Sequence, residues 1–169
     1  MAAGEPSPDQ IIVCVGPTPI AGATYSHWLR VAEKSDAEAA AQARATTLDF
    51  LISSLWLKGE AVRERIHLTP RQVKRVFDRI RAKQFPRRRE FGAFLRSSGQ
   101  TIADLLFRVE LNLLSTRIQA HVTAGHRGAV AQERALARFI AEFANRWRAM
   151  TYCSPQFAVE DCGHVQAAA

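Results

Sequence analysis

Few residues of this chain are of types that do chemistry, and they are scattered. His27, His67, His121, His126 and His164 never fall at the i, i+4 or x-x-H spacing by which a helix presents two imidazoles to zinc. Cys153 and Cys162 are nine residues apart, too far for a C-x-x-C site, and no second pair stands beside them. That separation can close a hairpin-like loop, so a structural disulfide is favoured over two free thiols. A loop of about ten residues closed in this way contributes about 2–3 kcal/mol in the chain-entropy model. Cys14 sits in an apolar strand-like run and reads as a small buried hydrophobe. Glu60, Glu64 and Asp104 have no second carboxylate at a fixed helical spacing to share acid–base work. No G-x-x-x-x-G-K-[ST], G-x-G-x-x-G or G-x-S-x-G motif occurs, so neither a phosphate cradle nor a nucleophile elbow is supported. No catalytic residue, metal site or cofactor is expected.

What remains is a set of large apolar side chains, Trp28, Trp56, Phe91, Phe94, Phe107 and Leu111. Taken singly, each reads as core. As a set they exceed what one small helical core needs, and some are expected to line a cleft. Burying one such ring stabilises by roughly 1.5–3 kcal/mol, so a few exposed rings would hold an apolar stretch of unfolded chain weakly. These six are the candidate peptide-binding residues.

The elements that position them follow from local signals. Residues 1–9 are small, polar and Pro-containing and are expected to fray. Ile11, Ile12, Val13 and Val15 favour strand, Gly16-Pro17 is a turn signal, and a second extended piece runs to Ile20. Tyr25, Trp28, Leu29 and Ala32 recur at helical spacing over 22–33, and the Ala-rich 34–47 reads as a polar linker, helical in its second half. A second helix, about 44–65, places Leu48, Leu51, Ile52, Leu55, Trp56, Val62 and Ile66 on one face. Thr69 caps a third helix, with Pro70 at N1 and Gln72 at N3. Its buried stripe is Val73, Val76, Phe77 and Ile80, and it must end before Pro86, which opens the fourth helix. Gly99 stops that helix, and Thr101 caps a fifth with Asp104 at N3. Ile102, Leu105, Leu106, Val109, Leu113 and Leu114 carry the fifth helix, while Phe107 and Leu111 widen its apolar stripe beyond one face. A stripe that wide belongs to a central helix or offers a surface. The last helix, about 130–149, is followed by extended pieces at 151–153 and 157–159.

The whole reads as mainly α: a bundle of five to six helices with a small β element built from the N-terminal strand and a C-terminal strand pair. One domain is expected over 10–162, in three parts: an N-terminal module (11–122), a connector (123–128), and a helix with its strand piece (129–162). Residues 163–169 are expected to be a disordered tail. The balance of 23 Lys and Arg against 16 Asp and Glu, net +7, admits nucleic acid, an anionic membrane or acidic partners. With the arginines spread over every helix, a solvated basic surface is the better reading, and the Arg87-Arg88-Arg89 run is read the same way. No window reaches the ~18–20 apolar residues of a membrane span, and MAAGEPSPDQ lacks the basic and apolar regions of a signal peptide, so the expectation is either a cytoplasmic protein or a start that omits an export segment.

The order strand, G-x-x-P-I turn, HWL helix, LWLKGEA and QFPRRREFGAFLRSSGQTIADLLFRVELNLLSTRI resembles the SurA/PrsA-type extracytoplasmic foldases of bacteria, in particular their actinobacterial branch. FANRWRAMTYCSPQFAVEDC is similar to that branch's C-terminal segment, a helix ending in a two-cysteine strand piece. The resemblance covers roughly residues 11–128 and 133–162. It implies a SurA N-terminal-like chaperone module that binds unfolded or nascent polypeptide, and an extracytoplasmic location, with membrane association only through an N-terminal segment outside this sequence. The family's parvulin prolyl-isomerase domain would fall where HVTAGHRG runs straight into AQERALARFIAEF, so no isomerase activity is expected and the family's catalytic residues have no position here. A basic nucleic-acid-binding domain is the second reading, and a degenerate interaction module the third.

Overall fold

The β-branched run forms strand β1 (Ile11–Val15), and the turn at Gly16, whose φ of +55° suits glycine, returns the chain antiparallel as β2 (Thr18–Ala21). The computed structural model describes residues 5–35 and 40–166. Six helices follow among the described residues: α1 (Gly22–Ser35), α2 (Ala40–Arg63), α3 (Pro70–Gln84), α4 (Arg88–Ser98), α5 (Ile102–Thr123) and α6 (Ala129–Arg148). The chain closes with β3 (Thr151–Cys153), a 3₁₀ turn (Pro155–Phe157) and β4 (His164–Val165). The protein is therefore mainly helical with a small four-stranded sheet, of order β2-β1-β3-β4.

The chain divides into two compact units, a sheet unit of Met1–Trp56 with Gly125–Ala169 and a helical unit of Leu57–Ala124. In the sheet unit, β1 pairs antiparallel with β3, Val13 opposite Cys153 and Val15 opposite Thr151, and β4 joins β3 in parallel. Ile12, Val13, Val15 and Ile20 are buried, as are Tyr25, Trp28, Leu29 and Val31 of α1 and Leu48, Leu51, Ile52 and Trp56 of α2. The Trp56 indole N–H donates to the Thr151 hydroxyl at 2.8 Å, and that hydroxyl donates to the Trp147 carbonyl at 2.8 Å. A buried indole without a partner would cost about 1–3 kcal/mol, so this relay fixes where the start of β3 lies on α2. Cys153 and Cys162 form a disulfide.

Several expectations are corrected here. Residues 163–166 are not a loose tail, because β4 continues the sheet. The chain can pass there because Gly163 lies so close to the Arg148 carbonyl that a Cβ would collide with it. Phe157–Val159 is no strand: Pro155–Phe157 is a 3₁₀ turn that sets the Phe157 ring edge-on to Tyr25 at 5.4 Å. The end of the first nine residues is held, since the Pro8 carbonyl accepts from the Ala23 N–H at 2.9 Å. Cys14 is half-buried with a free thiol. The fraying expected of residues 1–4, the linker at 36–39 and the tail at 167–169 lie outside the described residues.

In the helical unit the cap signals hold. The Thr69 hydroxyl accepts from the Gln72 N–H at 3.3 Å and the Gln72 side chain accepts from the Thr69 N–H at 2.9 Å. Thr101 and Asp104 repeat the box at 3.1 and 2.7 Å. Gly99 ends α4 in the left-handed conformation at φ +67°. Pro86 does not open α4. It precedes the cap residue Arg87, whose N–H donates to the Glu90 carboxylate at 3.3 Å. Val62 is also off the expected face and 73% exposed. It lies six residues, hence roughly 240°, around the helix from Trp56, whereas Glu60, fully buried, lies only roughly 40° away.

Candidate polypeptide-binding surface

The core of the helical unit is small. Val73 and Phe77 of α3 and Val109 of α5 are buried, with Leu68, Val76, Phe91, Leu105, Leu106 and Leu113 packed around them half-covered. Leu114 and Ile118 of α5 are buried as well, yet α5 is apolar over more than one face, and Ile102, Leu106 and Phe107 stay partly open and border grooves.

The first groove lies between α3 and α5 and has a volume of about 510 Å³. Its walls are Leu68, Val73, Phe77, Ile102, Leu106 and Phe107. Ile102 is 49% exposed, large for an isoleucine on a helix that also carries core residues. The charged groups at its rim are internally compensated. Lys74 is paired with Asp78 one helical turn on, and Glu110 with Lys58 at 3.2 Å. The Lys58 ammonium also stands 5.4 Å from the centre of the Phe107 ring.

The second groove, of about 490 Å³, is built by the end of α3, the Phe85-Pro86 turn and α4. Phe85, Phe91, Leu95 and Ile102 are its apolar lining, so Ile102 borders both grooves. Phe85 packs on Phe91 at 5.5 Å and on Phe94 at 5.0 Å, and Phe91 meets Phe77 edge-on at 6.2 Å. Arg81 and Arg88 complete the lining. The Arg81 guanidinium lies 5.8 Å from the Phe91 ring centre. Both arginines are exposed, and neither has a carboxylate partner among the described residues.

The six candidate residues divide sharply. Trp28 and Trp56 belong to the core of the sheet unit, 7% and 3% exposed, packed against Phe50 and Phe143 respectively. They are occupied in holding α1, α2 and β3 and offer no surface in this state. Phe107 and Phe91 line the first and second grooves. Phe94 is half-buried against Phe85, and Leu111 is half-buried on α5 and lines neither groove. Ile102, Leu106, Leu68, Phe85 and Arg81 were not among the candidates. The signal for the first two was present in the over-wide stripe of α5. Nothing local marks Phe85 or Arg81, whose role depends on where the turn before α4 brings them.

Charge is segregated as well. Leu57–Ala124 holds 15 Lys and Arg against 6 Asp and Glu, net +9, whereas the remaining residues hold 8 against 10, net −2. Although every helix carries arginine, 12 of the 19 arginines fall in the single stretch Leu57–Ala124. Among the described residues no three His, Cys, Asp or Glu side chains cluster to hold a metal, and no helix is long and apolar enough to cross a membrane.

No protein-family model matches the chain, and neither curated proteins nor solved structures give a match.

Proposed function

We propose that the helical unit binds apolar segments of unfolded or nascent polypeptide, as a chaperone-like module without prolyl-isomerase catalysis. The observation that carries this reading is the pair of apolar grooves sharing Ile102, walled by half-exposed Leu, Ile and Phe side chains. Ligand sites are typically clefts of about 300–1,000 Å³ lined mainly by apolar and aromatic side chains, and both grooves have that size and that kind of wall. Their walls are aliphatic and aromatic with few directed polar groups, which suits apolar side chains of varied sequence and weak, reversible holding. The resemblance to the SurA/PrsA-type chaperone module points the same way. The Cys153–Cys162 bond is of the kind that persists in oxidising compartments, which supports an extracytoplasmic location.

The nucleic-acid alternative is less well supported. One face of Phe91 and one of Phe107 already lie under a cation, so they are poor platforms for stacked bases.

The test is suppression of aggregation of a chemically denatured client by the full chain. Near-stoichiometric protein should delay light scattering, and Ile102→Asp with Leu106→Asp should abolish the effect while helicity is retained. All three tryptophans lie in the sheet unit, so a Phe107→Trp variant is the appropriate binding reporter. No delay of aggregation together with no change in that reporter on adding unfolded peptide would overturn the proposal.

A further inference from the structure

The two grooves differ in charge although they share a wall. Around the first, every rim charge is matched: Lys74 by Asp78 and Glu110 by Lys58. Around the second, Arg81 and Arg88 stand exposed without a carboxylate among the described residues, on a unit whose net charge is +9. An apolar chain laid past Ile102 from the first groove into the second therefore moves from a neutral to a cationic surround. A guanidinium beside an aromatic ring retains donors for a carboxylate, which it can meet with paired N–H bonds.

We infer that the preferred ligand is a polypeptide segment in which an apolar run is flanked by acidic residues, the run seating in the α3–α5 groove and a carboxylate meeting Arg81 and Arg88. This rests on the polypeptide-binding reading and adds the charge of the ligand to it. A second copy of the chain is a poorer occupant, since the chain carries +7. A basic or neutral segment would leave the two arginines uncompensated. Acidic flanks would also speed encounter with a unit of this charge.

The experiment is fluorescence anisotropy with the full chain and three labelled peptides that share one Leu/Phe run. Their flanks are Asp-Glu, Ser-Ser or Lys-Lys. At low salt the acidic-flanked peptide should bind about three- to tenfold more tightly than the Ser-flanked one, the range of two exposed ion pairs, and the Lys-flanked peptide more weakly than either. The advantage should shrink between about 50 and 300 mM salt as screening shortens, leaving the binding of the Ser-flanked peptide in place. Arg88→Glu, and Arg81→Glu with it, should erase or reverse the order. Lys83→Glu, which changes net charge equally from an exposed site outside both grooves, should preserve it.

Equal affinity for the three peptides would overturn the acidic preference and leave the apolar reading standing. No binding of any peptide would remove both. A preference that survives Arg81→Glu with Arg88→Glu would overturn the assignment to this groove. A single-stranded oligonucleotide that displaces the acidic peptide at lower concentration than the peptide itself would replace the inference with nucleic-acid binding.

Discussion

The sheet unit and the helical unit use the same kinds of residue to different ends. Of the buried apolar side chains among the described residues, sixteen lie in the sheet unit and six in the helical unit. The sheet unit ties distant parts of the chain together with a sheet, a disulfide and the Trp56–Thr151–Trp147 relay, and is nearly neutral. The helical unit has only six buried apolar side chains, strong local caps, half-exposed aromatic and aliphatic walls, and 15 of the 23 Lys and Arg. A large side chain is thus no guide to its role by type: Trp56 is structure and Phe107 is surface.

That contrast can be broken most directly at those two positions. Trp56→Ala should destabilise the sheet unit by about 3–5 kcal/mol, read as a lower urea midpoint, and Phe107→Ala should cost under about 1 kcal/mol because the ring is only half-covered. Equal costs would erase the distinction between core and groove. Reduction of Cys153–Cys162 should come next, lowering stability by about 2–3 kcal/mol for a loop of nine residues' separation. Groove affinity for an apolar peptide should be unchanged by that reduction in protein that remains folded; loss of binding would tie the ligand surface to the sheet unit.

Smaller effects sharpen the comparison from the other side. Thr101→Ala should remove about 1 kcal/mol through loss of the α5 cap, detectable as earlier thermal loss of helicity. Ile102→Ser should cost stability less than that, yet weaken peptide binding about tenfold, the loss expected for one buried aliphatic side chain. The smallest change is expected at Asp49 in the sheet unit. Burial, reinforced by Asp161 and Glu160, raises its carboxyl pKa above the ordinary value. The folded state therefore holds this proton more tightly than the unfolded chain, and the cost to folding grows as the pH rises past the ordinary value and is complete above the raised one. Asp49→Asn should raise the melting temperature slightly at neutral pH, with the difference vanishing toward about pH 4. A lower melting temperature for the variant would refute the sign.

Much of the helical unit was legible residue by residue. Thr69-Pro70-x-Gln72, Ser98-Gly99 and Thr101-x-x-Asp104 name their own helix ends, because a cap is satisfied within three or four residues. Val62 and β4 were not legible in that way. Val62 continues an apolar rhythm in sequence but falls on the wrong side of a helix turning 100° per residue, and His164-Val165 has a strand's role only because β3 has an open edge to pair with.

Composition and local pattern determined the class of this protein, the capped starts of α3 and α5 and the glycine stop of α4, its hairpin, the cysteines able to pair and the absence of a recognisable catalytic motif, since each depends on neighbours in sequence. Which aromatic rings are sealed and which remain open was decided only in three dimensions. So was the meeting of Phe85, Arg81 and Ile102 at one groove. Burial and electrostatic potential are sums over surroundings, and those surroundings come from chain segments that the sequence keeps far apart.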